Sequence, residues 1–167
     1  PSGQPSSQPS GQPTIQPSLH MTEITDVDLR VVPQSRGFDF GVTGSMSRAG
    51  DLNGDGIGDF ILGASSATVA GKFAAGVATV VFGRNATATF PSTLDVQAMP
   101  TGRYTGFRIL GGANNDFCGQ SVRDAGDVNG DGVDDIIVGA SGADPPGLTA
   151  ASNAGISFVV FGRRVTS

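Results

Sequence analysis

The sequence predicts an all-β protein built from two copies of one small antiparallel sheet. Three observations carry this. The block from Ser45 to Ser66 recurs at Ser121 to Gly142, with 13 of 22 positions identical and an unbroken offset of 76. Inside each copy, short apolar runs rich in Ile, Val, Leu and Phe close on glycine, the pattern of brief buried strands. The composition is that of a turn-rich chain, with 26 glycines, 15% charged residues and a single lysine. A unit of about 75 to 80 residues holding about four strands is the signature of an architecture assembled from small sheets.

The elements follow in chain order. Residues 1–18 differ in kind from the rest: Pro stands at 1, 5, 9, 13 and 17 and Gln at 4, 8, 12 and 16. Uncharged, and with Ile15 as its only large apolar side chain, this segment cannot bury a core and favours extended conformers. It reads either as a semi-rigid, O-glycosylated stalk or as an inert disordered linker. A chain that begins with Pro reads as a processed or cut product. LRVV (Leu29 to Val32) is a first strand, and DFILGAS (Asp59 to Ser65) opens the better-defined part of the first copy. GVATVVFGR (Gly76 to Arg84) follows and returns as GISFVVFGR (Gly155 to Arg163), now offset by 79. The three added residues fall in a loop where ADPPG (Ala143 to Gly147) signals a turn. FRIL (Phe107 to Leu110) pairs with LRVV as a weaker repeat, and DIIVGAS (Asp135 to Ser141) is the counterpart of DFILGAS. The domain division is a 1–18 linker, a first unit at 19–95 with its lead-in strand, and a second at 96–167.

The chemistry is concentrated between paired strands. DLNGDGIGD (Asp51 to Asp59) returns as DVNGDGVDD (Asp127 to Asp135), with Asp, Asn, Asp and Asp at loop positions 1, 3, 5 and 9. Alternate residues of a tightly turned loop can aim their oxygens at one centre, as a hard cation such as Ca²⁺ requires. Gly54, Gly56, Gly130 and Gly132 permit the positive φ of such a turn. Ile57 and Val133, at position 7, can offer a backbone carbonyl. The alternative is a solvated Asn-Gly/Asp-Gly hairpin turn. Two copies of the pattern, and the mutual repulsion of crowded carboxylates without a cation, favour the metal. The loops are not EF-hands, because position 12 is Leu62 or Val138, which cannot ligate, and the flanks read as strand.

These units resemble FG-GAP repeats, the blades of the integrin-α type β-propeller. Phe40-Gly41 and Gly63-Ala64-Ser65 stand at the FG and GAP positions; in the second unit Cys118 splits Phe117 from Gly119, and Gly139-Ala140-Ser141 ends the motif. The resemblance runs over roughly residues 28 to 167. It implies two four-stranded antiparallel blades of an incomplete β-propeller, with the acidic loop joining the first two strands of each blade and binding structural Ca²⁺. Residue by residue, the implied ligands are Asp51, Asn53, Asp55, Ile57 (carbonyl) and Asp59, then Asp127, Asn129, Asp131, Val133 (carbonyl) and Asp135. Ser65 and Ser141 depart from the family's Pro, near the loop end and away from the ligands. The family's strand order makes FRIL the outer strand of the first blade. The second blade then has no outer strand after SFVVF. The resemblance thus points to further blades or to self-association; a closed two-sheet sandwich completed by LRVV is the competing outcome.

Function classes narrow accordingly. Seven of the 15 acids lie in the two loops, so the net charge of −5 is mostly local. No basic stripe suggests nucleic acid, and no apolar run reaches the roughly 18 residues of a membrane-spanning helix. Cys118 stands alone, so there is no internal disulfide, and it reads as a semi-buried side chain rather than a nucleophile. His20 reads as solvated or as part of the lead into the fold, and Arg163 and Arg164 as a solvated end. Asn85-Ala86-Thr87 is an N-glycosylation sequon. The expectation is a non-enzymatic calcium-binding glycoprotein module, secreted or at the cell surface, that meets a protein or glycan ligand in adhesion. The rival is an accessory propeller of an extracellular hydrolase, such as a phospholipase D-like enzyme whose catalytic domain lies outside the chain. A structural spacer at a cell wall or matrix is a third reading.

The apolar positions Phe60, Ile61, Leu62, Val80, Val81, Phe82, Ile136, Ile137, Val138, Val159, Val160 and Phe161 are the expected core, buried on both sheet faces between neighbours.

Overall fold

The computed structural model describes residues 30–32, 44–85, 93–96, 101–102, 105–145 and 153–165. The Pro/Gln segment, His20, Phe40-Gly41 and the Ala86-Thr87 part of the sequon lie outside them. The described residues form nine strands: β1 (Arg30–Val32), β2 (Ser45–Gly50), β3 (Asp59–Ala64), β4 (Val77–Val81), β5 (Thr93–Asp95), β6 (Gly106–Leu110), β7 (Cys118–Gly126), β8 (Asp135–Ala140) and β9 (Ile156–Val160). No helix occurs among the described residues, so none there could cross a membrane.

The first sheet has the order β2-β3-β4-β6, antiparallel throughout. β6 carries FRIL and pairs with β4, Val80 opposite Phe107. It therefore joins the first sheet although it lies beyond residue 95. The second sheet has the order β7-β8-β9, three strands among the described residues where a full blade has four, in line with the missing outer strand after SFVVF. After Val160 the chain leaves the sheet and lies over the first acidic loop, where Arg163 N–H and Val165 N–H reach the carbonyls of Leu52 and Asn53 at 2.8 Å each. β1 pairs in parallel with β5, Val31 opposite Leu94, rather than with the free edge of β9.

The two sheets pack face to face, chiefly through β7 against β2 and β3. Alternation along each strand sends one set of side chains into this interface. Ala49, Ile61, Ala78, Val80 and Phe82 come from the first sheet, and Val122, Ile136, Val138 and Ala140 from the second. Phe82 also meets Phe107 edge to face, with ring centroids 6.1 Å apart. Backbone comes as close as side chains do. A Cβ on Gly63 would lie 1.9 Å from the Gly119 carbonyl oxygen, and one on Gly76 would lie 2.3 Å from that of Cys118. The Gly of the GAP-like motif is thus required by the approach of the next sheet.

The outer face of the second sheet departs from the expected core. Ile61, Val80 and Phe82 are 0%, 0% and 7% exposed; their repeat counterparts Ile137, Val159 and Phe161 are 38%, 44% and 57% exposed. Phe60 and Val160 are half-buried. The residue types are the same or similar, and the difference is the absence of a third layer over this face among the described residues. Gly139 and Gly155, the counterparts of Gly63 and Gly76, correspondingly have no backbone pressed against them: a Cβ on either would meet its nearest neighbour at 3.6 Å and 3.4 Å.

Candidate functional site

Each acidic loop joins the first two strands of its sheet. Asp59 opens β3 and Asp135 opens β8. Gly54, Gly56, Gly130 and Gly132 all sit at positive φ, between 70° and 85°, which a side chain would disfavour.

The turn gathers the polar groups of positions 1, 3 and 5. Asp51 accepts the N–H of Asp55 at 3.0 Å and of Gly56 at 2.8 Å. Asn53 Oδ1 accepts the same Asp55 N–H at 3.0 Å, so oxygens of positions 1 and 3 converge on one point of the loop. The Asn53 amide donates to Asp55 Oδ2 at 2.9 Å, and Asp55 Oδ1 accepts the Ile57 N–H at 2.8 Å. The second loop reproduces the set. Asp127 accepts the N–H groups of Asp131 and Gly132 at 3.0 and 2.8 Å. Asn129 accepts from Asp131 N–H at 3.0 Å and donates to Asp131 Oδ2 at 2.9 Å. Asp131 Oδ1 accepts the Val133 N–H at 2.9 Å.

Position 9 is held differently. Asp59 and Asp135 are buried, and each ties its loop to the end of a distant strand. Asp59 accepts the N–H of Leu52 and of Gly83, both at 2.8 Å. Asp135 accepts that of Val128 at 2.8 Å and of Gly162 at 2.9 Å. Burial pushes the Asp59 carboxyl up to about 6 against the hydrogen bonds from Gly83 and Leu52, and the negative charges of Asp55 and Asp51 add to the rise. The position-7 side chains approach the same strand ends: a Cβ on Gly83 would meet Ile57, and one on Gly162 would meet Val133, at 2.6 Å in each case.

Among the described residues, no three Asp, Glu, His or Cys side chains are gathered into one metal cluster. The loop brings positions 1, 3 and 5 together, while the position-9 carboxylate is turned toward backbone N–H groups. The donor chemistry nonetheless fits a hard cation, since Asp, Asn and a backbone carbonyl all offer oxygen. A carboxylate oxygen that accepts one N–H keeps further acceptor capacity.

Contacts between the loops were not legible in the sequence. Asp134, at position 8 where the first loop has Gly58, accepts the Asp51 N–H at 2.8 Å across 83 residues of chain. Arg163 and Arg164 are exposed, as expected of a solvated end. The backbone of Arg163 is nevertheless tied to the first loop, and Arg164 Nη2 donates to the Gly132 carbonyl at 3.2 Å. The one signal available was the Gly-to-Asp change at position 8. Cys118 is buried at the start of β7, where burial pushes its thiol up to about 11.

Residues 124–160, from the end of β7 through the second loop to β9, match the family model of the FG-GAP repeat. No curated protein matches the chain at a significant level. The first unit is related to the matched segment by the internal identity of the two copies.

Proposed function

We propose that the chain is a calcium-stabilised β-propeller module of FG-GAP type on a secreted or surface protein, where it serves adhesion or ligand binding. The carrying observation is the repetition of one loop. The same oxygen donors recur at positions 1, 3, 5 and 9, with nearly the same hydrogen bonds, in two different sheets. The ligands are Asp51, Asn53, Asp55, the Ile57 carbonyl and Asp59, and Asp127, Asn129, Asp131, the Val133 carbonyl and Asp135. The metal supplies charge compensation that the buried Asp59, beside Asp51 and Asp55, otherwise lacks. The role is structural, rigidifying the hairpins that present loops to a protein or glycan, and the module itself is not an enzyme.

The propeller reading draws its support from the outer face of the second sheet. Its apolar side chains and its two open glycines repeat the face that the first sheet buries. A further unit of the same kind would meet there the surface that β7 meets on the first sheet. Calorimetric titration of the metal-stripped chain tests the calcium reading. Two sites are expected, with dissociation constants of roughly 10⁻⁴–10⁻³ M as in extracellular modules, and Asp55→Ala or Asp131→Ala should abolish one site each. Absence of both heat and any rise in melting temperature refutes it.

A further inference from the structure

We propose that the two loops take up cation as a coupled pair, with Asp134 as the positioning residue that links them. The inference rests on the calcium reading above and concerns a residue outside its ligand set. Asp134 lies between Val133 and Asp135, whose carbonyl and carboxylate are ligands of the second loop on that reading. A cation held by both neighbours fixes Asp134 between them. Its Oδ2 accepts the N–H of Asp51, the first ligand of the other loop. The contact is built into the first loop. Gly50 sits at φ +67°, and a Cβ there would lie 2.2 Å from Asp134 Oδ2. Gly126, its counterpart, has nothing within 4 Å of the same position.

A second connection runs parallel to the first. Gly162 N–H is held by Asp135, the ninth position of the second loop. One and three residues on, the same strap donates from Arg163 and Val165 to the carbonyls of Leu52 and Asn53, positions 2 and 3 of the first loop. Arg164 lies over Gly54, whose Cβ would meet it at 2.8 Å, and donates to Gly132. Filling the second loop therefore orders groups that hold positions 1 to 3 of the first. The second cation meets a loop whose ordering cost is already partly met, which is positive coupling, and linkage makes it reciprocal.

The test uses the whole chain and follows the amide resonances of Gly56 and Gly132, one per loop, during titration with CaCl₂. In the unaltered protein both should move over one narrow concentration range. Asp131→Ala, which disables the second loop, should raise the Gly56 midpoint by about fivefold or more. Asp134→Ala leaves every ligand in place and should leave both loops able to fill. The Gly56 midpoint should rise, and its response to Asp131→Ala should shrink to the part that the Gly162–Val165 strap still carries. Asp134→Asn keeps an acceptor oxygen and should restore the midpoint to within about twofold, a rescue that a merely destabilised fold would not show. A Gly56 midpoint indifferent to both Asp131→Ala and Asp134→Ala overturns the coupling and leaves the calcium reading intact. No shift at either glycine in the unaltered protein overturns both.

Discussion

Gly63→Ala and Gly139→Ala are the same substitution at repeat-equivalent positions, and the structure predicts opposite signs. Neither glycine sits at positive φ, so backbone strain does not enter and only space decides. At Gly63 the new methyl carbon would lie 1.9 Å from the Gly119 oxygen and 2.6 Å from Ser45 Oγ. A carbon and a carbonyl oxygen normally stay about 3.3 Å or more apart, so the start of β7 must retreat by roughly 1.4 Å. That retreat also breaks the 3.0 Å bond from Ser45 Oγ to the Gly119 carbonyl. Overpacking of this kind costs about 1–3 kcal/mol, and the lost hydrogen bond about 0.5–1.5. The gain from a stiffer unfolded chain is about 0.4–1 kcal/mol. The net loss is about 2–3 kcal/mol, or roughly 4–12 °C in melting temperature. At Gly139 the nearest atoms are Ser121 Cβ at 3.6 Å and Ser121 O at 3.7 Å, ordinary contacts. Only the unfolded-chain term remains, and Gly139→Ala should melt at or slightly above the parent. Thermal unfolding followed by far-UV circular dichroism, at one fixed calcium concentration, measures both. Equal shifts, or a Gly63→Ala melting point within a degree of the parent, would refute the close approach of β7 to β3.

Three further outcomes follow from burial. Ile61→Ala removes a fully buried side chain and should cost about 2–5 kcal/mol by chemical denaturation, whereas Ile137→Ala, on the open face, should cost about 1 kcal/mol or less; similar losses would show that the outer face is covered. Asp59 has a carboxyl near 6 in the folded chain against 3.8 when free, so the native state binds the proton more tightly. Its contribution to stability should be fully present below about pH 4 and decline as pH rises to about 6, by on the order of 3 kcal/mol in metal-free protein. Comparison with Asp59→Asn isolates that contribution, saturating calcium should suppress it, and matching pH profiles for the two proteins would contradict the assignment. Cys118 is buried, with its thiol held near 11, so a thiol-specific disulfide reagent should label it at pH 8 only as fast as the sheets part; rapid stoichiometric labelling of the folded chain would place it at the surface.

The second loop lies within the segment matched by the FG-GAP family model, and the first loop repeats its hydrogen bonds. The metal reading therefore stands or falls for the two loops together, and titration of the unaltered chain is the experiment on which the others depend. The open face of the second sheet bears on assembly rather than on metal. Addition of a further repeat unit should protect Ile137, Val159 and Phe161 and make Ile137→Ala as costly as Ile61→Ala.

What was legible in the sequence was local or periodic. The Asp-Asn-Asp spacing, the glycines at positive φ and the apolar runs after position 9 each act within about ten residues, and their repetition identified both hairpins. The outer place of FRIL came from the family's strand order. Sequence could not tell Ile61 from Ile137, or Gly63 from Gly139, because each pair shares residue type and much of its local sequence. Stacking alone separates them: β7 lies over one face and none of the described residues lies over the other. The partners of Asp134 and of residues 163–165 are likewise invisible, since they are backbone groups that carry no residue-specific signal. Periodicity gives the face on which a side chain lies, but coverage of that face depends on which layers come to rest against it, and that was decided only in three dimensions.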